Sequence, residues 1–401
     1  MMPFLKKKSD CTACSSCVAS CPVQCITMQA DGKGFLYPVI DEQKCIHCHR
    51  CERVCPALHA PNTPQNLDAR PTFAGITRNS TVWEDSTSGG AFSEICHAWS
   101  KNDADNTWVF GASFENLRVV HKGALLEDIS LFRKSKYVQS QIGTCFCQIK
   151  KLLEENKRVI FSGTPCQVAG LRNFLGKDYL NLLCIDLICH GVGSPAVFER
   201  YLIELEHKTD KKICDYMFRA KRSYWGNFLR HQSKVTYEDN SVRYYIEDNY
   251  NKLFLKQLCL RDSCGEHCRY RQVKRYGDFT IADFNAFPTV FPRVNDGRNY
   301  STLICNTAKA MTLLPTLEQT MQLLPCSLEK IIQYNPLLAR STPENPQRPA
   351  CLQDFEKGLS VEQLVDKYVI KSRFSILACL KRHTPFTVKH FIFRVYKRLW
   401  K

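Results

Sequence analysis

Long hydrophobic runs are missing from this chain of 401 residues. Its most apolar window, LNLLCIDLICHGV at 180–192, is too short to span a bilayer and carries Asp186 in its middle. A secretory leader is not evident either. Met1 to Lys8 supply a basic flank, but Ser9 and Asp10 stand where an apolar segment would follow. Acidic residues are few, 39 against 55 lysines and arginines, and no low-complexity tract dominates. These absences lead to the expectation of a soluble, cytoplasmic chain, and its length suits two or three domains of about 150 residues each.

Cysteine, by contrast, is abundant: 23 residues, of which nine fall within the first 55. A reducing cytosol keeps such thiols from pairing as disulfides, so metal is the better explanation. The N-terminal nine include two copies of one spacing. Cys11, Cys14, Cys17 and Cys21-Pro22 follow the C-x2-C-x2-C-x3-C-P step, and Cys45, Cys48, Cys51 and Cys55-Pro56 follow it again. That step wraps three thiolates round one corner of a 4Fe-4S cubane and sends the fourth to the neighbouring cluster. The spacing therefore assigns Cys11, Cys14, Cys17 and Cys55 to one centre, and Cys45, Cys48, Cys51 and Cys21 to a second. A pair of four-cysteine zinc sites is the alternative, but zinc has no use for the third C-x2 step or the terminal Cys-Pro. Cys25 lies outside both quartets and reads as a small buried residue. His47 and His49 read as groups beside the ligands.

Residues 61–71, with three prolines and no apolar periodicity, read as a linker between a cluster domain at 1–60 and the rest of the chain. Strand, helix and strand then alternate. RPTFAGITRN and NTWVFGASF read as strands, with a helix between them carrying Phe92, Ile95, Cys96 and Trp99 on one face. The pattern recurs in KRVIFSGTPCQVAGLRNFL and YLNLLCIDLICHG, which implies an α/β layer. Two loops lead into helices: Ser86, Thr87, Ser88, Gly89 and Gly90, and Ser162, Gly163 and Thr164 before Pro165-Cys166, where the helix is expected to begin near Gln167. Each fits either a helix cap or a site for an anion or cofactor edge.

Taken together, KSKYVQSQIG (134–143), VIFSGTPCQVAGLRNFL (159–175), IDLICHGVGSPAVFERYL (185–202) and YGDFTIADF (276–284), behind a two-cluster ferredoxin, resemble the coenzyme F420 hydrogenase/dehydrogenase beta-subunit family. The resemblance covers roughly residues 1–340. It implies an α+β chain: the small ferredoxin-type domain, a mixed α/β flavin and iron-sulfur domain at 72–345 distinct from a dinucleotide-binding Rossmann fold, and a basic helical region at 346–401. It further implies bound flavin, usually FAD, exchanging electrons with cubane clusters. Some members reduce a deazaflavin, others act on tetrapyrroles or other acceptors, and bacterial relatives often accompany polysaccharide biosynthesis.

By the same resemblance a third cluster is held by Cys166, Cys189, Cys264 and Cys268. The family's last pair is usually C-x2-C, whereas this chain has C-x3-C, with Cys259 upstream as a further thiol, and the alternatives are four buried thiols or a zinc site completed by His190 or His267. The resemblance also places the 86–90 and 162–164 loops, Lys136, Tyr137 and Gln139 near the flavin, and makes His190 and Asp283 candidates for proton transfer. Relatives commonly carry Gly-Asp-Phe-Trp-Gly where this chain has Ala282 to Ala286, so an added Cβ and a missing tryptophan alter the expected pocket. Cys145 and Cys147 match no family position and receive no ligand role.

From Lys371 to Lys401 there are nine lysines or arginines and no acidic residue, interleaved with aromatics. This tail reads either as an amphipathic helix for peripheral contact with an anionic membrane or as a helix packed on the domain. Charge elsewhere reads as ordinary surface. Three functions fit: an iron-sulfur flavoenzyme acting on a small organic substrate, a relay passing electrons between a ferredoxin-like donor or acceptor and a separate enzyme, and a zinc-loaded nucleic-acid binder. The first two predict a brown protein with acid-labile sulfide, bleached by reductant. The third predicts a colourless protein whose nucleic-acid affinity falls steeply with salt, and the redox reading expects no nucleic-acid partner.

Overall fold

The computed structural model describes residues 5–61, 66–221, 223–224, 227–228, 232–266, 268–341 and 343–369. The basic tail at 371–401, and with it the membrane-contact expectation, lies outside these residues, as does His267.

In the N-terminal unit, α1 (Ser16–Ser20) follows the first cysteine loop and α2 (Arg50–Arg53) the second, with β1 (Ile26–Ala30) and β2 (Leu36–Ile40) paired antiparallel between them. Its core is small: Leu5, Cys25 and Ile26, packed on the cysteines themselves. So small an apolar core is the reason such a unit relies on metal to hold its shape.

The larger unit begins with β3 (Thr72–Thr77), α3 (Ser80–Glu84) and α4 (Ala91–Ser100), then the hairpin β4 (Thr107–Glu115) and β5 (Arg118–Leu125). Next come α5 (Cys145–Glu154), β6 (Arg158–Gly163), α6 (Pro165–Leu175), β7 (Leu182–Leu187) and α7 (Pro195–Thr209). Strands β8 (Ile213–Met217), β9 (Ser223–Tyr224), β10 (Asn227–Phe228), β11 (Gln232–Tyr237) and β12 (Val242–Ile246) form two small antiparallel sheets. The chain continues with α8 (Asn249–Leu255), β13 (Phe279–Asp283), α9 (Phe287–Val290), β14 (Ser301–Cys305), α10 (Ala308–Met311) and α11 (Leu314–Thr320). It closes with β15 (Met321–Pro325), α12 (Leu328–Tyr334), α13 (Arg348–Glu356) and α14 (Val361–Tyr368).

One eight-stranded mixed sheet organises this unit, in the order β15-β3-β14-β13-β7-β6-β4-β5. Strands β4, β6, β7 and β13 are mutually parallel. Because β3 and β13 are both antiparallel to β14, they run in the same direction. The carboxyl ends of β3, β6, β7 and β13 therefore open onto one edge, where α/β sheets bind ligands. Successive residues of β6 and β7 enter different cores: Ile160, Leu183 and Ile185 pack with α4 and α11, while Val159, Phe161, Leu182 and Cys184 pack with α5 and α6. Helices cover both faces, which is why these strands read as continuous apolar runs.

The C-terminal boundary drawn at residue 345 does not coincide with a break in packing. Cys351, Leu352 and Phe355 of α13, and Val361, Leu364 and Val365 of α14, share one core with α7 and α8. The charge pattern also differs from an ordinary surface. Arg172, Arg219, Arg261, Arg271, Arg275 and Arg348 are all under a tenth exposed, because each guanidinium faces a carboxylate or carbonyl that compensates its burial.

The aspartate that interrupts the apolar window is fully buried. Asp186 accepts from Arg275 Nη2 at 2.8 Å, Thr280 Oγ1 at 2.6 Å, and the Tyr276 and Gly277 amides at 3.2 and 3.0 Å. Gly277 is required for this approach, since a Cβ there would lie 2.7 Å from the Asp186 amide nitrogen. A second buried pair, Arg172 with Asp278 at 3.3 Å, ties α6 to the same turn, and Arg172 Nε donates to the Tyr276 carbonyl at 2.6 Å. Removing one partner of such a pair leaves an uncompensated charge. Arg275→Met should therefore destabilise the fold by about 3–5 kcal/mol, measured as a lowered denaturation midpoint with unchanged slope.

Candidate functional site

Two cysteine loops in the N-terminal unit share an unusual backbone. Ala13 and Ser15 flank Cys14, His47 and His49 flank Cys48, and all four have positive φ, 56°, 64°, 50° and 57°. Left-handed non-glycine residues are uncommon and cost energy. Such a backbone is of the kind that lets N–H groups line an anionic centre. One such bond is formed, from the Ala13 amide to Cys11 Sγ at 3.4 Å. The His49 ring pairs with Glu52 at 2.9 Å on the surface.

The structure brings Cys11, Cys14, Cys17 and Cys55 round one cavity of about 390 Å³, uniting three cysteines of the first loop with the last of the second. On the other side, Cys25 is buried against Cys21 and Cys45, with Cys25 Sγ 3.5 Å from Cys21 Sγ. Cys51 lies in the field of Cys48. Among the described residues, the set tight enough for a single small ion is Glu42, Cys45 and His47, which shares Cys45 with this second group. The full quartets are not drawn to that spacing.

In the larger unit, Cys166, Cys189, Cys264 and Cys268 line a cavity of about 580 Å³. Cys166 sits in the first turn of α6, and the helix starts at Pro165, two residues before the expected Gln167. The start is fixed by Gln167 Oε1, which accepts from the Thr164 amide at 2.9 Å, with proline at the first helical position. Cys189 follows β7. The wider C-x3-C spacing is absorbed by a turn in which the Cys268 amide donates to the Gly265 carbonyl at 3.2 Å. The Val192 amide donates to Cys264 Sγ at 3.4 Å. Cys259 points elsewhere, into the helical core beside Cys351. Burial pushes the Cys189 thiol up to about 12, and the charges of Cys264 and Cys268 add to the effect. A cationic core would reverse that preference and favour thiolates. Four converging sulfurs, an N–H···S bond and the buried Tyr270 and Ser263 hydroxyls without partners among the described residues fit a sulfur-rich cluster.

The first cavity and the inner one are neighbours. Thr12 lines both. One turn after Cys166, Gly170 faces the first loop so closely that a Cβ would lie 2.7 Å from Cys14 Cβ and 2.6 Å from Ser16 Oγ. Arg261 fixes the docking: Nε donates to the Cys11 carbonyl at 3.0 Å, and the guanidinium lies 4.1 Å from the Tyr37 ring centroid. Gln139, expected near a flavin, lines the inner cavity and accepts from the Leu36 amide of the small unit at 3.1 Å and from Arg261.

The remaining flavin candidates divide. Ser86 Oγ donates to the Val82 carbonyl at 2.6 Å, Ser88 Oγ to the Tyr300 carbonyl at 2.7 Å, and Thr87 Oγ1 accepts from the Ser135 amide at 2.9 Å. Gly89 packs on the Gly75 carbonyl and Ser301, and Gly90, at φ 88°, starts α4. The loop's hydroxyls are therefore engaged within the protein. Ser162 receives a bond on its carbonyl from His121, Gly163 pairs in register with Asp186, and Thr164 lines the inner cavity. Lys136 Nζ donates to the Arg133 carbonyl at 2.6 Å, and the Tyr137 ring stacks on Phe254 at 4.7 Å. His190 rests on the same Phe254, with Nε2 3.3 Å from its carbonyl. Asp283 is ion-paired with Arg219.

Beside the 86–90 loop stands a basic residue that sequence reasoning missed. Lys221 bonds the Trp83 and Ser88 carbonyls and lies 3.8 Å over the Trp83 ring. Burial, then the Arg219 charge, lowers it to about 7. Burial, then the Lys134 charge, lowers Lys136 to about 7 as well. The available signal was FRAKR at 218–222, cations placed directly after a strand.

Residues 10–58 match the 4Fe-4S dicluster domain. Residues 156–329 match the family described as the C-terminal part of the beta subunit in coenzyme F420 hydrogenase/dehydrogenase. No curated protein matches the chain. Among solved structures, it is similar to a chain of the F420-reducing [NiFe] hydrogenase complex from Methanosarcina barkeri, at 13% identity and a TM-score of 0.40, over 79% of this chain and 97% of that one. At that score the likeness says nothing further about this chain. The chain thus carries a 4Fe-4S dicluster domain, followed by a segment that is similar to the C-terminal part of that beta-subunit family. It is an iron-sulfur electron-transfer protein. None of its described helices is long and apolar enough to cross a membrane.

The Gly170 contact is directly testable. Gly170→Ala should cost about 1–3 kcal/mol by overpacking, read as a lowered denaturation midpoint.

Proposed function

We propose that this chain is a three-cluster iron-sulfur flavoprotein that moves electrons between an outer pair of cubanes and a flavin through an inner cubane. The observation that carries the reading is the meeting of Cys166, Cys189, Cys264 and Cys268 round one cavity, one helical turn from the first cysteine loop. Cys11, Cys14, Cys17 and Cys55 would hold one outer cluster, Cys21, Cys45, Cys48 and Cys51 the other, and the four inner cysteines the third. The clusters supply one-electron steps, and the flavin, FAD by family resemblance, supplies the exchange with a two-electron substrate.

The chain's own residues supply the setting. Asp186 and Arg275 hold the Cys189 loop against the segment bearing Cys264 and Cys268, and Arg261 locks the small unit in place. For the flavin, support comes from Arg219, Lys136 and Lys221 beside the 86–90 loop, where cations suit a diphosphate. The loop's hydroxyls contribute shape rather than bonds, and His190 and Asp283 stay secondary as proton carriers because each is engaged by a neighbour. The substrate is a small organic molecule, and a role in polysaccharide biosynthesis rests on family resemblance. Because the matched family is described as a subunit, a second reading is a relay that feeds a partner enzyme without turning over substrate itself, with a ferredoxin-like protein as its other partner. Nucleic acid has no place in either.

Anaerobic purification with iron, sulfide and flavin counts tests the proposal. About twelve irons per chain are expected, four per cubane, and Cys264→Ser should lower the count to about eight while leaving the outer pair. Eight in the parent chain would remove the inner cubane. Lys221 is charged below about pH 7 and neutral above it. FAD affinity should therefore fall as pH rises from 6 to 8, measured by flavin fluorescence titration, and Lys221→Met should weaken that dependence, with Lys136, also lowered to about 7, supplying the remainder.

A further inference from the structure

Two hydroxyls of the inner cavity stand apart from the ligands and the buried ion pairs. Tyr270 is 5% exposed and lines the cavity with the four cysteines. Its hydroxyl oxygen has no hydrogen-bond partner among the described residues. Ser263, next to Cys264 and lining the same cavity, has a buried Oγ in the same condition. Buried hydroxyls are nearly always satisfied, so each marks a place where an acceptor is missing from the protein's own inventory. The Tyr270 ring is held in place: it packs on Tyr276 at 5.7 Å, and the Tyr276 carbonyl is bonded by Arg172. Its surroundings are sulfur on both sides. The Tyr270 hydroxyl lies in the field of Cys166 within the inner quartet and of Cys14 and Cys55 within the first outer quartet.

We infer that Tyr270 and Ser263 are positioning residues that donate O–H bonds to the sulfur of the inner cluster and raise its reduction potential. The inference rests on the inner cubane proposed above. Hydrogen bonds to cluster sulfur are among the levers that set its potential. A donor favours the state with more negative charge, which is the reduced one, so each hydroxyl makes the inner centre a better electron acceptor. Tyr270, standing toward the first outer quartet, is placed to draw electrons inward from it. A hydroxyl that merely filled space would leave the potential unchanged, and one that met only a trapped water would have no contact with the centre's electrons.

The test uses the full chain, purified anaerobically. Tyr270→Phe keeps the ring and removes the donor, and Ser263→Ala does the same for the second site. In each, iron and sulfide per chain should match the parent. At a fixed applied potential the reduced-to-oxidised ratio of the inner centre, followed by electron paramagnetic resonance during a redox titration, should fall about tenfold, which is a midpoint lowered by about 59 mV for one electron. The second outer centre should not move. In deuterated buffer, the reduced parent should show an exchangeable deuteron coupled to the inner centre that is lost in Tyr270→Phe. Unchanged potentials in both variants would overturn the inference, as would loss of about four irons from Tyr270→Phe, because the hydroxyl would then only support the cavity. A parent chain with eight irons is a separate result and sinks the inner cubane itself.

Discussion

The buried pair of Asp186 and Arg275 is the constraint on which the inner site depends. Asp186 lies near the end of the parallel strand that leads into Cys189, and Arg275 belongs to the segment that carries Cys264 and Cys268. Two polypeptide stretches far apart in sequence are joined by a charge-assisted contact that water does not reach. Arg172 and Asp278 repeat the device for the helix that carries Cys166. All four inner sulfurs therefore hang from elements that the same turn, Tyr276 to Asp278, holds together. A purely apolar core would bury the strands equally well. It would not fix the turn to the strand end with the directionality that several bonds to one carboxylate impose.

Much of this was legible in the residues. The ferredoxin step is a spacing set by the ligand geometry of a cubane, so eight cysteines could be sorted into two crossed groups from the pattern alone. The crossing is visible in the cavity that joins Cys55 to Cys11, Cys14 and Cys17. Apolar runs identified β3, β4, β6 and β7, because strands covered on both faces need apolar side chains at every position. The helix after the 162–164 turn was also expected, although its start lies at Pro165 rather than near Gln167.

Other features were hidden for physical reasons. Arg261 and Arg275 carry no local signature of burial, since what permits burial is a partner distant in sequence. Asp186 looked like an interruption of an apolar window and proved to be its anchor. The division of the flavin candidates was also invisible. A run of serine, threonine and glycine is compatible with bonds to a ligand or to the protein's own carbonyls, and only the packing of Ser88 against Tyr300 or Thr87 against Ser135 distinguishes them. The continuation of the core into α13 and α14 was obscured because their apolar residues complete a face begun more than a hundred residues earlier.

Helix α6 carries Cys166 in its first turn and Gly170 one turn later, with the latter against the loop of Cys14. Four residues of α-helix rise only about 6 Å, at 1.5 Å each, and such a segment hardly stretches. The helix thus fixes the offset between Cys166 and the point of contact, and the packing of the small unit against Gly170, held by Arg261, closes the remaining gap. A stiff helix on one side and a glycine-tight contact on the other make the separation of the two cysteine groups insensitive to breathing of the surface loops around them.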